Sequence, residues 1–186
     1  EYVPYPKAES YLKPVGRGAT FPQLFDVEGI GVCVVKFLQN PQGPRALTNE
    51  LIGFKVASLL DIDQPETGIV DIGTEVLPDN GVLEVHDEDD TYIFKPGLHF
   101  YSRWLEPADQ VTSTDITSFG MAENPEILAG VVLVDLLLNN WDRKPHSLNL
   151  LLHRQGRHRL KLIDLSMAFG NANWTLGNLK DTDLPL

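Results

Sequence analysis

Three side chains late in the sequence could do chemistry together: Asp142 and Asn149, at opposite ends of one polar loop, and Asp164, at the end of the apolar pair Leu162-Ile163. The run Asn140-Trp141-Asp142-Arg143-Lys144-Pro145-His146-Ser147-Leu148-Asn149-Leu150-Leu151 leaves an apolar helix, crosses a loop holding Pro145 and enters an apolar strand. A carboxylate opening such a loop can orient a hydroxyl or accept its proton. An amide carbonyl closing the loop and a second carboxylate at a strand end are hard oxygen ligands suited to Mg²⁺. Earlier, residues 32, 34 and 36 share one face of a strand, so Lys36 follows two valines on an otherwise apolar surface and needs a counter-charge or a ligand. Glu50, fourteen residues after Lys36, falls with Leu47, Leu51 and Phe54 on the buried stripe of a helix and needs a partner there. Taken singly, Lys36 reads as a snorkelling lysine and Glu50 as a helix-edge carboxylate. Together the five residues match what phosphoryl transfer requires: a cation for the phosphates, acidic ligands for magnesium and a carboxylate at the attacking hydroxyl.

The elements that must position these residues follow from pattern. Residues 24–27 and 32–38 are β-prone runs around the turn-like Glu28-Gly29-Ile30-Gly31, which predicts a hairpin. The three prolines up to Pro14 predict an extended lead-in rather than an element of its own. Pro44 is placed to start a helix running to about Leu60. Segments 68–72, 81–85 and 91–95 read as strands completing a small antiparallel sheet. Residues 96–124 mix aromatic and polar residues and read as a connection followed by a helix. An apolar core helix is expected over about 125–139, with Glu126 in its first turn, and strands at 148–152 and 160–163 around a basic turn. The expected fold class is therefore α+β.

The run Val34-Val35-Lys36-Phe37, then Gln42-Gly43-Pro44-Arg45-Ala46-Leu47 with Glu50-Leu51-Ile52, then Asp142-Arg143 with Asn149-Leu150-Leu151, then Ile163-Asp164, resembles the HipA-like kinase family over residues 16–170. The resemblance implies a two-lobed kinase-like fold related to protein and phosphatidylinositol kinases, with ATP and Mg²⁺ between the lobes. The N-terminal lobe would be residues 1–97, carrying the sheet, one main helix and the glycine-rich loop; the C-terminal lobe, residues 98–186, would be mainly helical with a β-hairpin bearing the metal site. On that mapping Lys36 contacts phosphates, Glu50 supports it, Asp142 is catalytic, and Asn149 and Asp164 hold metal. Kinases commonly place the metal-binding Asn five residues after the catalytic Asp; that position here is Ser147, and Asn149 comes seven after, so Ser147 is the alternative, with Asn149 assigned because it directly precedes the strand.

Gly16-Arg17-Gly18 could cover phosphates with backbone N–H groups or form a plain hairpin connection. Arg45 could touch a phosphate or be a solvated first-turn residue. Asp135, seven before Asp142, could brace the catalytic loop or serve as a structural cap. The acidic stretch 84–90 reads as a solvated turn, and Arg154, Arg157, His158, Arg159 and Lys161 as a soluble hairpin. A net charge of −11 disfavours nucleic acid and anionic membranes. With Cys33 the single cysteine and the longest apolar run, 127–138, too short to span a bilayer, a cytoplasmic protein is expected. The leading expectation is a Ser/Thr protein kinase with a protein acceptor. The alternatives are a nucleotide-binding regulatory module with little turnover and an interaction domain that binds no nucleotide.

Overall fold

Strand-forming residues dominate 8–36, and they pair as a meander: β1 (Ala8–Pro14), β2 (Gln23–Val27) and β3 (Gly31–Lys36), each antiparallel to the next. The structure is a computed structural model that describes residues 4–16, 18–87 and 90–180; Arg17, Glu88 and Asp89 lie outside the described residues. The chain is mixed α+β with antiparallel sheets and few helices. It divides into two units, residues 1–47 with 65–106, and residues 48–64 with 107–186. The helix α1 (Pro44–Leu59) begins in the first and continues in the second.

After α1, the first unit continues with β4 (Thr67–Ile72), the single-turn α2 (Pro78–Gly81), β5 (Leu83–Asp87), β6 (Asp90–Phe94) and β7 (Gly97–Arg103). One sheet has the order β1-β2-β3-β7-β4, while β5 and β6 form a separate two-stranded sheet. Three expectations are corrected here. Segments 81–85 and 91–95, expected to complete the sheet with 68–72, pair with each other as β5 and β6 instead. The proline-bearing lead-in is a strand, β1, whose burial pattern leaves only Ala8 covered, as an edge strand allows. The segment expected to be a connection contains β7, which sits inside the sheet between β3 and β4. The core gathers Phe25, Val27, Cys33, Val35, Phe37, Val70, Ile72 and Phe94, with Phe37 stacked on Phe94 at 4.6 Å between ring centroids. Cys33 and Val35 thus take the core face of β3, Phe37 just beyond it joins them in the core, and Lys36 takes the other face. Burial pushes the Cys33 thiol up to about 12, with Glu66 adding to it, so the cysteine is a packing residue and not a nucleophile.

The second unit adds β8 (Ala108–Gln110), α3 (Ile116–Met121), α4 (Ile127–Leu138), β9 (Leu150–His153), β10 (Arg159–Leu162) and α5 (Leu176–Lys180). Its sheet has the order β10-β9-β8, all antiparallel. Asp115 caps α3: its carboxylate accepts the Ser118 hydroxyl and the Ser118 N–H, the latter at 2.9 Å, and these bonds hold its carboxyl below the ordinary range. The apolar run expected as a core helix is α4, and it is buried along one side only, by Ile127, Val131, Val134 and Leu138; Val132, Leu133, Leu136 and Leu137 are exposed. Glu126 is its N-cap residue rather than part of the first turn. Among the described residues no helix is long and apolar enough to cross a membrane.

His99 on β7 is buried against the Phe37 ring, at 4.3 Å between centroids. Leu38 N–H donates to its Nδ1 at 3.2 Å, so the ring proton sits on Nε2 and reaches the Lys95 carbonyl at 2.9 Å. Burial disfavours the imidazolium and lowers its pKa from 6.5, partly opposed by the Lys95 bond and by Asp71. Above pH 6.5 the ring is neutral in both folded and unfolded chains; below it, the unfolded chain takes up a proton that the folded one resists. Stability should therefore fall as pH drops from about 7.5 towards 5, with half-buried His153 adding in the same direction. Urea unfolding across this window should show a shallower fall in His99→Gln than in wild type, and equal slopes would refute the assignment.

Candidate functional site

Four of the expected residues lie in the second unit: Glu50, Asp142, Asn149 and Asp164. Asn149 immediately precedes β9, and Asp164 follows β10 by two residues, so both stand at the same end of one hairpin. The ladder is continued past its last strand pair by Ile163 N–H donating to the Asn149 carbonyl at 2.9 Å. At this point the chain turns left-handed on both sides, with φ of 49° at Asn149 and 55° at Asp164. Among residues other than glycine such backbone is tolerated best by Asn and Asp, yet it still costs about 1 kcal/mol or more at each residue and persists only where the surroundings hold it.

Those surroundings are specific. Gln110 on β8 donates to the Ser147 hydroxyl at 2.8 Å, and that hydroxyl donates to Asn149 Oδ1 at 3.0 Å. The direction of this relay fixes the Asn149 amide with its oxygen toward Ser147, and a carbonyl oxygen has two lone pairs, so the bond is compatible with a cation on the same atom. Ser147 and Asn149 are therefore neighbours in space, not rival occupants of distant positions. Asp164 Oδ1 accepts from the Ser166 hydroxyl at 2.7 Å and from Ser166 N–H at 3.2 Å, which folds the chain back on itself after the strand.

Helix α1 supplies the next layer. Glu50 is fully buried, and its Oε2 accepts the Leu165 N–H at 3.1 Å. Beside it, buried Asn49 donates to the Ser166 and Ala168 carbonyls at 2.7 and 2.8 Å and accepts from Trp174 Nε1 at 2.7 Å. The partner that the stripe position of Glu50 demanded is thus, in part, the backbone just after Asp164. Asn49 escaped sequence reading, although its place next to Glu50 on the same helix was the available signal. Phe169, in the same segment, is held at φ 61° with its ring against Trp174.

Asp142 begins the loop, partly exposed, with Lys144 Nζ at 3.2 Å from its Oδ1. The loop is anchored to α4 by Asp135, which receives Asn140 Nδ2 at 2.8 Å and a two-pronged contact from Arg143. The bracing role considered for Asp135 is what the geometry displays. Trp141 is largely exposed and, with Val132, Asp135, Leu136, Asn139, Asn140 and Arg143, lines a cleft of about 380 Å³.

The remaining expected residues belong to the first unit. Lys36 is the last residue of β3 and is buried. Gly16 and Gly18 lie in the connection from β1 to β2, with φ of 81° and 105°, where Phe21 N–H donates to the Gly18 carbonyl at 3.0 Å. Arg45 is the second residue of α1 and is exposed. In the second unit, the arginines and the lysine of the basic hairpin face carboxylates: Arg154 with Asp109, Arg157 with Glu123, and Arg159 and Lys161 with Asp63. Burial works upward on the Asp63 carboxyl, but Lys161 and Arg159 outweigh it and hold it below the usual range.

Gly53, one turn beyond Asn49 and Glu50, is where α1 meets Leu165; a Cβ there would sit 2.8 Å from Leu165 Cδ1 and 2.9 Å from its Cβ. The intrinsic helix gain of Gly→Ala is about 1 kcal/mol, while forced overpacking against a fully buried residue costs roughly 1–3 kcal/mol. Because the clash includes the Leu165 Cβ, which cannot swing away, Gly53→Ala is expected to lower the melting temperature; a rise would contradict this packing. Comparison of the sequence with protein-family models and with curated proteins gives no match to either.

Proposed function

We propose that this chain is an ATP-dependent phosphotransferase of the HipA-like kinase type, moving the γ-phosphate of ATP to a serine or threonine hydroxyl of a protein. The observation that carries it is the pairing of Asn149 and Asp164 in left-handed backbone at one end of the β9–β10 hairpin, joined through the Ile163 N–H and steadied by Gln110, Ser147, Ser166 and Glu50. Asn149 and Asp164 are two of seven described non-glycine residues with positive φ, and they are the two that meet across one hairpin end; backbone held in this region is a feature that ligand sites share.

The donor set suits magnesium. Among the described residues no three His, Cys, Asp or Glu side chains gather as a cage. Mg²⁺ does not need one, since it commonly binds one or two protein oxygens and takes the rest from phosphates and water. Asp164 and Asn149 would hold it, and the ion would neutralise charge on the transferring phosphoryl group. Asp142 would orient the acceptor hydroxyl and take its proton as the oxygen–phosphorus bond forms and the bond to the bridging oxygen of ADP breaks. Lys144, exposed beside Asp142, would supply a cation to the migrating charge. The Lys144 contact also favours the second reading, a nucleotide-binding module with little turnover, since it engages one of the two oxygens of the carboxylate that would take the proton.

Calorimetry with ATP should show Mg²⁺-dependent binding in wild type that weakens about tenfold or more in Asp164→Ala. Asp142→Ala should keep that binding and lose phosphate transfer by 10²-fold or more, on the order expected for removing a general base. Wild-type turnover retained in Asp142→Ala would refute its assigned role, and binding without any transfer in wild type would favour the second reading.

A further inference from the structure

Arg143 and Asp135 stand out from the surrounding polar contacts because they connect the two ends of the loop that carries Asp142 and Asn149. The guanidinium meets Asp135 through Nε and Nη2, and its Nη1 reaches the Leu148 carbonyl at 2.6 Å and the Asn149 carbonyl at 3.3 Å. The Asn149 carbonyl is also the acceptor for Ile163 N–H. At the other end of the loop, Asp135 Oδ1 receives Asn140 Nδ2, and Asn140 Oδ1 accepts the Asp142 N–H at 3.4 Å. Both partners of the ion pair are largely removed from solvent, at 14% and 15% exposure, so the two-pronged contact is short, directional and weakly screened.

We infer that the Asp135–Arg143 pair is a positioning device: one carboxylate on α4 sets the start of the loop through Asn140 and the end of it through Arg143, and so holds Asp142 and Asn149 at a fixed separation. This inference rests on the phosphotransferase reading for its functional meaning, but the coupling of the two loop ends is a property of the chain alone. Neither residue touches a reacting atom in this account. Outer contacts of this kind, which orient ligands they do not replace, typically change metal affinity 10- to 100-fold when removed.

The test compares Asp135→Asn and Arg143→Lys with Asp63→Asn, which weakens a different ion pair of the same unit, the one to Arg159 and Lys161. The Mg²⁺ concentration giving half-maximal ATP binding should rise about tenfold or more in the first two variants and stay put in Asp63→Asn. Amide hydrogen exchange, measured without nucleotide, should quicken at Asp142 and Ile163 together in Asp135→Asn but not in Asp63→Asn. Should Asp135→Asn fail to fold, Arg143→Lys carries both comparisons. Equal effects in Asp63→Asn, or no change in the first two variants, would overturn the inference. If wild type shows no magnesium-dependent ATP binding, the phosphotransferase reading falls, and the exchange measurement alone then decides whether the pair couples the loop ends.

Discussion

The carbonyl of Asn149 is the atom on which the candidate site depends. It accepts Ile163 N–H and lies within reach of the Arg143 guanidinium, so it joins the hairpin end to the loop anchored on α4. Because the ladder is closed there, the two residues that flank it, Asn149 and Asp164, can both leave the strand in left-handed backbone without the hairpin opening. The bonds to their side chains from Gln110 through Ser147 and from Ser166 depend on that register being in place.

The face of α1 that carries Asn49, Glu50 and Gly53 works on the same region by a different means. Buried polar groups are costly unless bonded, and here they are bonded to backbone that has no strand partner: Leu165 N–H to Glu50, and the Ser166 and Ala168 carbonyls to Asn49. A helix thus stands in for the missing sheet neighbour of the segment after Asp164. Gly53 lets the helix approach closely enough for those bonds to form, since Leu165 occupies the space where a side chain would be.

Much of this was legible in residue order. Pro44 and the Leu47, Glu50, Phe54 spacing located α1 to within a residue or so of its bounds, and the β-prone runs on either side of the turn at 28–31 and of the basic turn at 154–158 located two hairpins. What could not be read depends on neighbours distant in sequence. β1 shows little apolar periodicity because, as an edge strand, it buries only Ala8. β7 buries His99, Phe100 and Tyr101 in succession, which hides the period of two on which strand recognition relies. In the site, the types and order of Asp142, Asn149 and Asp164 signalled oxygen-ligand chemistry, but the contact between Ser147 and Asn149, and the part played by Arg143 and Asn49, arise from loop and helix geometry that spacing does not encode.

A crystal structure of the protein with a non-hydrolysable ATP analogue and Mg²⁺ tests the central claim most directly. The account predicts a magnesium ion about 2.0–2.1 Å from a carboxylate oxygen of Asp164 and from Asn149 Oδ1, with phosphate oxygens completing its shell. Nucleotide bound with its metal on other residues, or a protein that takes up neither at saturating concentration, would contradict it.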